Sequence, residues 1–229
     1  MKKFIATMIQ LLFVVLLSSP CFATLTLSFQ KISSLYGEFT ASISDNTYYG
    51  QSVANLGDIN NDGIVDVASS NHYSSDGGSQ RGAIFVQFLD NNGKVLSFQK
   101  ISSATGQFTA SFSNGDYFGR SIGGIEDVNG DDLNDLVVSM QNPGHFFVIF
   151  LLTDGTVQSF QKIWTGTGGF TATVLSADCL GVSFTSVGDL NNDGVPDLAA
   201  GAMKDSTGDY LAGRAITPQH HNTSRSSLE

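Results

Sequence analysis

A nine-residue acidic loop occurs three times in this chain, and its repetition limits the fold more than any other feature. The copies are Asp58-Ile-Asn60-Asn-Asp62-Gly63-Ile64-Val-Asp66, Asp127-Val-Asn129-Gly-Asp131-Asp132-Leu133-Asn-Asp135 and Asp189-Leu-Asn191-Asn-Asp193-Gly194-Val195-Pro-Asp197. Asp stands at positions 1, 5 and 9 and Asn at position 3 every time. Any exposed turn favours Asp, Asn and Gly for backbone reasons, but a generic turn does not hold four oxygen-bearing side chains in register through three copies. Oxygens from positions 1, 3, 5 and 9, with the backbone carbonyl of position 7 (Ile64, Leu133, Val195), match a hard cation that takes roughly six to eight oxygen ligands. Three carboxylates per loop point to Ca²⁺. The second copy is expected to be the weakest, because Asp132 replaces Gly63 and Gly194 at position 6, where a sharp turn calls for positive φ.

An EF-hand would need a Glu at position 12 between two helices. Position 12 is Ser69, Val138 or Ala200, and the short apolar runs after each loop suit buried strands. The repeat is longer than the loop. Upstream stand Tyr48-Tyr49-Gly50, Tyr117-Phe118-Gly119 and Cys179-Leu180-Gly181, and before them three Ser-Phe-Gln-Lys-Ile segments ending at Ile32, Ile101 and Ile163. Each of those leads to a Gly-x-Phe-Thr-Ala element ending at Ala41, Ala110 or Ala172. The loops begin 69 residues apart (Asp58 to Asp127) and then 62 apart (Asp127 to Asp189). These periods exceed those of the helical arrays, whereas about 60 residues accommodates one four-stranded propeller blade with long loops.

The order Phe-Gly, then Asp-x-Asn-x-Asp-Gly-x-x-Asp, then Gly-Ala resembles the FG-GAP repeat of integrin α-subunit propellers and of related secreted bacterial proteins. The paired signatures are Tyr49-Gly50, Phe118-Gly119 and Leu180-Gly181, then Gly82-Ala83, Pro143-Gly144 and Arg214-Ala215. The resemblance covers about residues 25–216 and implies an all-β fold of about three blades, each a four-stranded antiparallel sheet. It further implies that the calcium loops are structural and that other propeller loops hold partners. Here those include Asn71–Arg81, with Tyr73 and Arg81, and Ser111–Asp116.

The four strands of a repeat are expected after each Gly50-type position, after the acidic loop, at Gly82–Leu89 or Phe146–Leu152, and around Val95–Ser102 or Val157–Trp164. Asp90-Asn-Asn-Gly93 and Thr153-Asp-Gly155 supply the glycines of tight hairpins between the last two. The uniformly apolar Phe146–Leu152 suits a strand covered on both faces. A lone strand at Leu25–Ser33, two full blades and a third that stops near Ile216 give about three blades, fewer than the usual four to eight. The chain therefore reads as a partial propeller, with self-association to complete the ring as the alternative. Its unfinished ends, Leu25–Ile32 and Leu198–Ala202, are expected to expose apolar residues.

Lys2-Lys3, the apolar run Leu11–Leu17 and the small residue Ala23 form a secretory signal over residues 1–23, followed by the repeats over 24–216 and a disordered polar tail over 217–229. Seven apolar residues fall well short of the ~20 of a membrane span, so the protein is expected to be secreted or at the cell surface. Cleavage after Ala23 leaves Cys179 as the one cysteine, and rigidity must come from elsewhere than a disulfide. The 11 Lys and Arg face 21 Asp and Glu, a net charge of −10, and ten of the acids lie in the three loops. Without clustered basic residues the chain is not expected to bind nucleic acid.

Gly119-Arg-Ser121-Ile-Gly123 matches a nucleophile elbow, but Ser52 and Ser183 share the repeat position without the closing Gly, and no helix pattern follows Ser121. His220 and His221 lie in the tail, while His72 and His145 have no repeated partner and are expected to be solvated. These residues give no catalytic constellation. The expected function is a calcium-binding extracellular module for a protein or glycan ligand, with a purely architectural segment of a larger surface protein or propeller enzyme as the alternative.

Overall fold

Short apolar segments bounded by Gly, Asn and Ser form strands throughout the computed structural model. It describes residues 27–141, 144–168, 170–171, 173–175, 178–204 and 214–216, together with 12–17, with backbone alone for 12–17, 27–28 and 214–216. The expected tail 217–229 and most of 1–23 fall outside these residues.

Two strands, β1 (Leu12–Leu17) and β2 (Leu27–Ile32), form an antiparallel hairpin. The first blade is β3 (Val53–Gly57), β4 (Asp66–Asn71), β5 (Ala83–Leu89) and β6 (Val95–Ser102), hydrogen-bonded in that order. The second repeats it with β7 (Ile122–Ile125), β8 (Asp135–Met140), β9 (His145–Leu151) and β10 (Val157–Ile163). A third sheet joins β11 (Leu180–Gly188), β12 (Asp197–Ala202) and β13 (Arg214–Ile216). The three sheets are blades of a partial propeller, in the strand order and positions expected.

Every residue of β5 is buried, as are most of β9, because both faces of these strands are covered. The turns between the outer strands close as expected, with Gly93 N donating to Asp90 O at 2.9 Å and Gly155 N to Leu152 O at 2.8 Å. Only the glycines are left-handed there (φ 75° and 78°), and the Asn residues before Gly93 are not. The Phe-Thr-Ala elements bring an aromatic plug to each blade. Phe39 packs on Tyr49, Phe85 and Phe98, and Phe108 packs on Phe118, Phe147 and Phe160, with ring centroids 4.7–5.4 Å apart. The aromatic residues before the first two aligned glycines, Tyr49 and Phe118, are therefore core, packed on the plug and on Phe85 of β5 or Phe147 of β9.

Neighbouring blades meet at glycines. Gly82 forms a parallel bridge with Phe118, and a Cβ added at Gly82 would lie 2.1 Å from Phe118 O. In β7, a Cβ on Gly124 would lie 1.9 Å from Asn55 O of β3, and one on Gly123 would lie 2.8 Å from Phe184 Cβ of β11. The Gly-x-Ser-x-Gly match is thus two packing glycines around Ser121, which leads into strand β7 and not into a helix.

Two expectations are corrected. Leu198, Ala200 and Ala202 of β12 do not form an exposed end, since they are buried against the second blade together with Ile125, Val137 and Phe146. At the other end Ile32 is also buried, while Phe29 is 73% exposed. The second correction concerns the histidines. His72 follows β4 and His145 begins β9, and both are buried, with their pKa values pushed down to about 4 chiefly by desolvation and secondarily by Arg120 and Lys162.

The register of the β1–β2 hairpin, Phe13 opposite Lys31 and Leu16 opposite Ser28, repeats that of the outer hairpins, where Phe85 faces Lys100 and Phe147 faces Lys162. Loss of residues 1–23 would remove β1 and bare an edge of β2, an invitation to strand pairing. The chain from residue 24 is expected to self-associate in light scattering, and a monodisperse monomer that unfolds cooperatively would show that the blades close on themselves. Gly124→Ala is expected to cost about 3 kcal/mol in denaturant unfolding, because its methyl would overlap backbone and not a movable side chain. Gly130→Ala, with nothing within 4 Å of the new Cβ and φ of 82°, should cost only about 1 kcal/mol, from the backbone strain it introduces.

Candidate metal centres

Each acidic loop joins the first two strands of its blade, and position 9 is already the first residue of the second strand: Asp66 of β4, Asp135 of β8, Asp197 of β12. These three carboxylates are buried, at 0%, 0% and 3% exposure, while most of the loop is open to solvent. In each loop the side chains of positions 1, 3, 5 and 9 are bonded to the loop's own backbone, one such loop per blade, and among the described residues they are not gathered into a ready metal-binding group.

The local folding is a set of side-chain-to-backbone bonds repeated three times. Asp58 Oδ1 accepts from Asp62 N at 2.9 Å and its Oδ2 from Gly63 N at 2.7 Å. Asp127 accepts likewise from Asp131 N and Asp132 N, and Asp189 from Asp193 N and Gly194 N. Position 3 holds the same position-5 amide: Asn60, Asn129 and Asn191 accept from it through Oδ1 at 2.8–3.0 Å. Position 5 in turn accepts from the N–H of Ile64, Leu133 or Val195. Position 9 clamps the start of the loop, taking the N–H of Ile59, Val128 or Leu190. Short Asp and Asn side chains suit this because they reach their own backbone two to five residues on.

Two loop positions are left-handed. Position 6 is so in all three copies, Gly63 at 86°, Asp132 at 67° and Gly194 at 82°, and position 4 is as well, Asn61 at 60°, Gly130 at 82° and Asn192 at 56°. Each loop therefore has one Gly and one Asn or Asp across the two positions. The second copy carries its glycine at position 4, a pairing that offsets part of the strain expected from Asp132. The signal was present in the sequence, since position 4 is Asn or Gly throughout.

Among the described residues, no three Asp, Glu, His or Cys side chains already stand as a metal-binding group. The loop oxygens are turned to loop amides, but each carboxylate oxygen has a second lone pair. The donor set fits a hard cation on a further observation. Asp135 Oδ1 and Asp193 Oδ2 are buried without a hydrogen-bond donor, a costly state for carboxylate oxygens that a cation relieves. In the third loop Asn191 Nδ2 is also buried without a partner, whereas in the others this group donates to position 5 at 2.9 Å. Electrostatics point the same way. Desolvation pushes Asp66 up to about 6, two backbone N–H bonds pull it down, and the charges of Asp62 and Asp58 raise it. Asp135 is pushed up to about 7 by burial, with Asp131 and Asp127 adding to it. No basic residue lies among the loop positions to balance these acids.

Four-stranded antiparallel blades with an acidic nine-residue loop between their first two strands define a repeat β-propeller protein. The family model described as FG-GAP repeat matches residues 181–215, from the Gly that follows Leu180 to the Ala of Arg214-Ala215. Integrin alpha-11 of Homo sapiens is 30% identical over 161 residues, 69% of this chain. Integrin alpha-PS2 of Drosophila melanogaster is 31% identical over 175 residues, 72% of the chain, and integrin alpha pat-2 of Caenorhabditis elegans is 31% identical over 123 residues, 52% of it. The chain belongs to the FG-GAP repeat proteins and is an integrin α-like propeller. It spans only 13%, 11% and 10% of those three relatives' lengths.

The raised pKa values carry a sign. A carboxyl whose folded pKa lies above its unfolded value near 3.8 favours the fold while neutral, and that contribution is lost as pH rises through the folded pKa. In chelator the protein is therefore expected to be less stable at about pH 8 than at about pH 5, with most of the change between 5 and 7. Thermal unfolding at a series of pH values measures it, and a flat profile would show that Asp66 and Asp135 do not sit in the environment described.

Proposed function

We propose that this chain is a non-catalytic, calcium-binding extracellular module whose Ca²⁺ ions brace the loops between inner strands and whose other loops hold a protein or glycan ligand. The observation that carries the calcium reading is the buried position-9 carboxylate at the head of a strand, in three copies, with two more acids beside it and unmet oxygens at Asp135 and Asp193. Positions 1, 3, 5 and 9 and the position-7 carbonyl would hold the ion. Bound Ca²⁺ supplies positive charge to an acid cluster and needs the ligands ionised. The integrin relatives support an adhesion-type role, and the run Leu11–Leu17 after Lys2-Lys3 supports export. Among the described residues no helix is long and apolar enough to cross a membrane.

A second reading has its own observation. The loops expected to meet a partner also lock the first two blades together: Arg81 Nε donates to Asn114 Oδ1 at 3.1 Å, Gly115 N to Ser79 O at 3.0 Å, and Tyr117 Oη to Gln80 Oε1 at 3.2 Å. These contacts support an architectural segment as the alternative. A pull-down of the longest natural form, with and without chelator, separates the two readings.

Calorimetry is expected to show up to three Ca²⁺ per chain, and an absence of heat would remove the metal assignment. A ligand held only by the folded state stabilises it by about 2.7 kcal/mol per site at a hundredfold excess over Kd. Ca²⁺ should accordingly raise the melting temperature and reverse the pH trend of the chelated protein. Asp135→Asn should delete one site's share of that stabilisation while leaving the chelated protein as stable or more so.

A further inference from the structure

The repeat breaks at one place, and the break opens a cavity. Between the first and second blades, Tyr48, His72, Tyr73 and Tyr117 pack ring on ring, with Tyr73 centroids 4.9 Å from Tyr48, 4.7 Å from His72 and 4.9 Å from Tyr117. The backbone bonds that place them recur: Tyr73 N to Thr47 O at 3.2 Å, Gln141 N to Asp116 O at 3.0 Å, Lys204 N to Asp178 O at 2.9 Å. Tyr73, Gln141 and Lys204 are thus equivalent. So are Tyr48, Tyr117 and Cys179, which share a φ of 55°. Towards the third blade the rings are missing, because Gln141 and Lys204 stand where Tyr73 does and Cys179 where the other tyrosines do.

The space left is a cavity of about 210 Å³ whose walls include Arg120, Gln141, Cys179 and Lys204 with Met140 and Met203. Among the described residues two cations line it and no carboxylate does. This is unusual in a chain of net charge −10. The ion pairs among the described residues, Lys94 with Glu38 and Lys100 with Asp76, leave Arg120 and Lys204 out. Of the described acids, Asp178, beside Cys179, and Asp116, four residues before Arg120, are turned to their own loops, Asp178 Oδ2 accepting from Leu175 N and Asp116 Oδ2 from Ser113 N. Cationic groups gathered in a partly apolar recess, with no counter-charge among the described residues, favour an anion, and a guanidinium is suited to a planar carboxylate.

We propose that this cavity binds an organic carboxylate, its charge between Arg120 and Lys204 and its short aliphatic body against Met140 and Met203. The carboxylate belongs to a free short-chain acid or to an Asp or Glu side chain of a protein partner. The site does not depend on the acidic loops or on calcium.

Cys179 in the cavity wall reports occupancy. Alkylation of the full chain by iodoacetamide, followed by peptide mass mapping, separates Cys179 from Cys21, the only other cysteine. Pentanoate at about ten times its Kd is expected to slow alkylation of Cys179 about tenfold, since only the unoccupied fraction reacts. Pentanamide, equal in shape but uncharged, should give no protection. The double variant Arg120→Gln, Lys204→Gln should lose protection, while Arg120→Lys keeps part of it. Cys179→Tyr restores the ring of the other two repeats on the same backbone conformation and should abolish the calorimetric heat of binding. Protection by a blocked aspartyl tripeptide but not by pentanoate would support a protein side chain as the source. Lack of protection by both carboxylates, equal protection by pentanamide, or unchanged binding in the double variant would each overturn the proposal.

Discussion

The contact on which the arrangement of blades depends is backbone against backbone. Gly82 of the first blade lies on Phe118 of the second, and Gly124 of β7 lies on Asn55 of β3, at separations where a methyl group would overlap main-chain atoms. Main chain cannot move aside as a side-chain tip can, so these contacts fix the distance between blades. Around them the large side chains find their places. Phe118 faces the aromatic plug Phe108, and the core between the first two blades, from Leu56 through Ile84 to Leu136 and Ile149, is one continuous cluster. The Phe-Gly and Gly-Ala signatures are the two sides of one joint: one supplies the ring and a left-handed glycine, the other the bare glycine against which they close.

The acidic loops depend on the same frame. Their ninth residue begins a buried strand, so the carboxylate is held by the sheet and not by the loop. Asp66 shows how far the reach extends, since its Oδ1 accepts from Leu89 N at the far end of β5. A loop of this kind is the surface end of a core group, and any charge placed in it acts on the fold as much as on solvent.

Much of this was legible from residue order. The spacing of the acidic loops, the Ser-Phe-Gln-Lys-Ile segments and the Asn-Gly and Asp-Gly turns located eleven of the strands to within a few residues, because each is a local signal with a local cause. The left-handed position 4 was missed because Asn61 and Asn192 read as further polar turn residues, and only Gly130 hints at the backbone demand. The burial of His72 and His145 was missed for a different reason. A histidine between strands looks solvated unless its covering rings are known, and Tyr48 over His72 and Trp164 beside His145 come from other segments of the chain. The carboxylate cavity is likewise invisible in any one repeat. It exists as a difference between junctions, and it appears only when Cys179 is set in the place that Tyr48 and Tyr117 occupy.

The outer turn of the second blade has a consequence for the array as a whole. Gly155, at its tip, is seated on the face of the first blade, where an added Cβ would meet Val86, Gln99 and Phe88 within 3.2 Å. On the second blade the equivalent residues, Val148, Gln161 and Phe150, line a shallow crevice of about 50 Å³. The first blade is thus capped by the turn of the second, while the matching face of the second stands as a crevice, so the contact between these two blades has a direction. Damage to the outer turn of the second blade reaches the first through the cap it fails to supply.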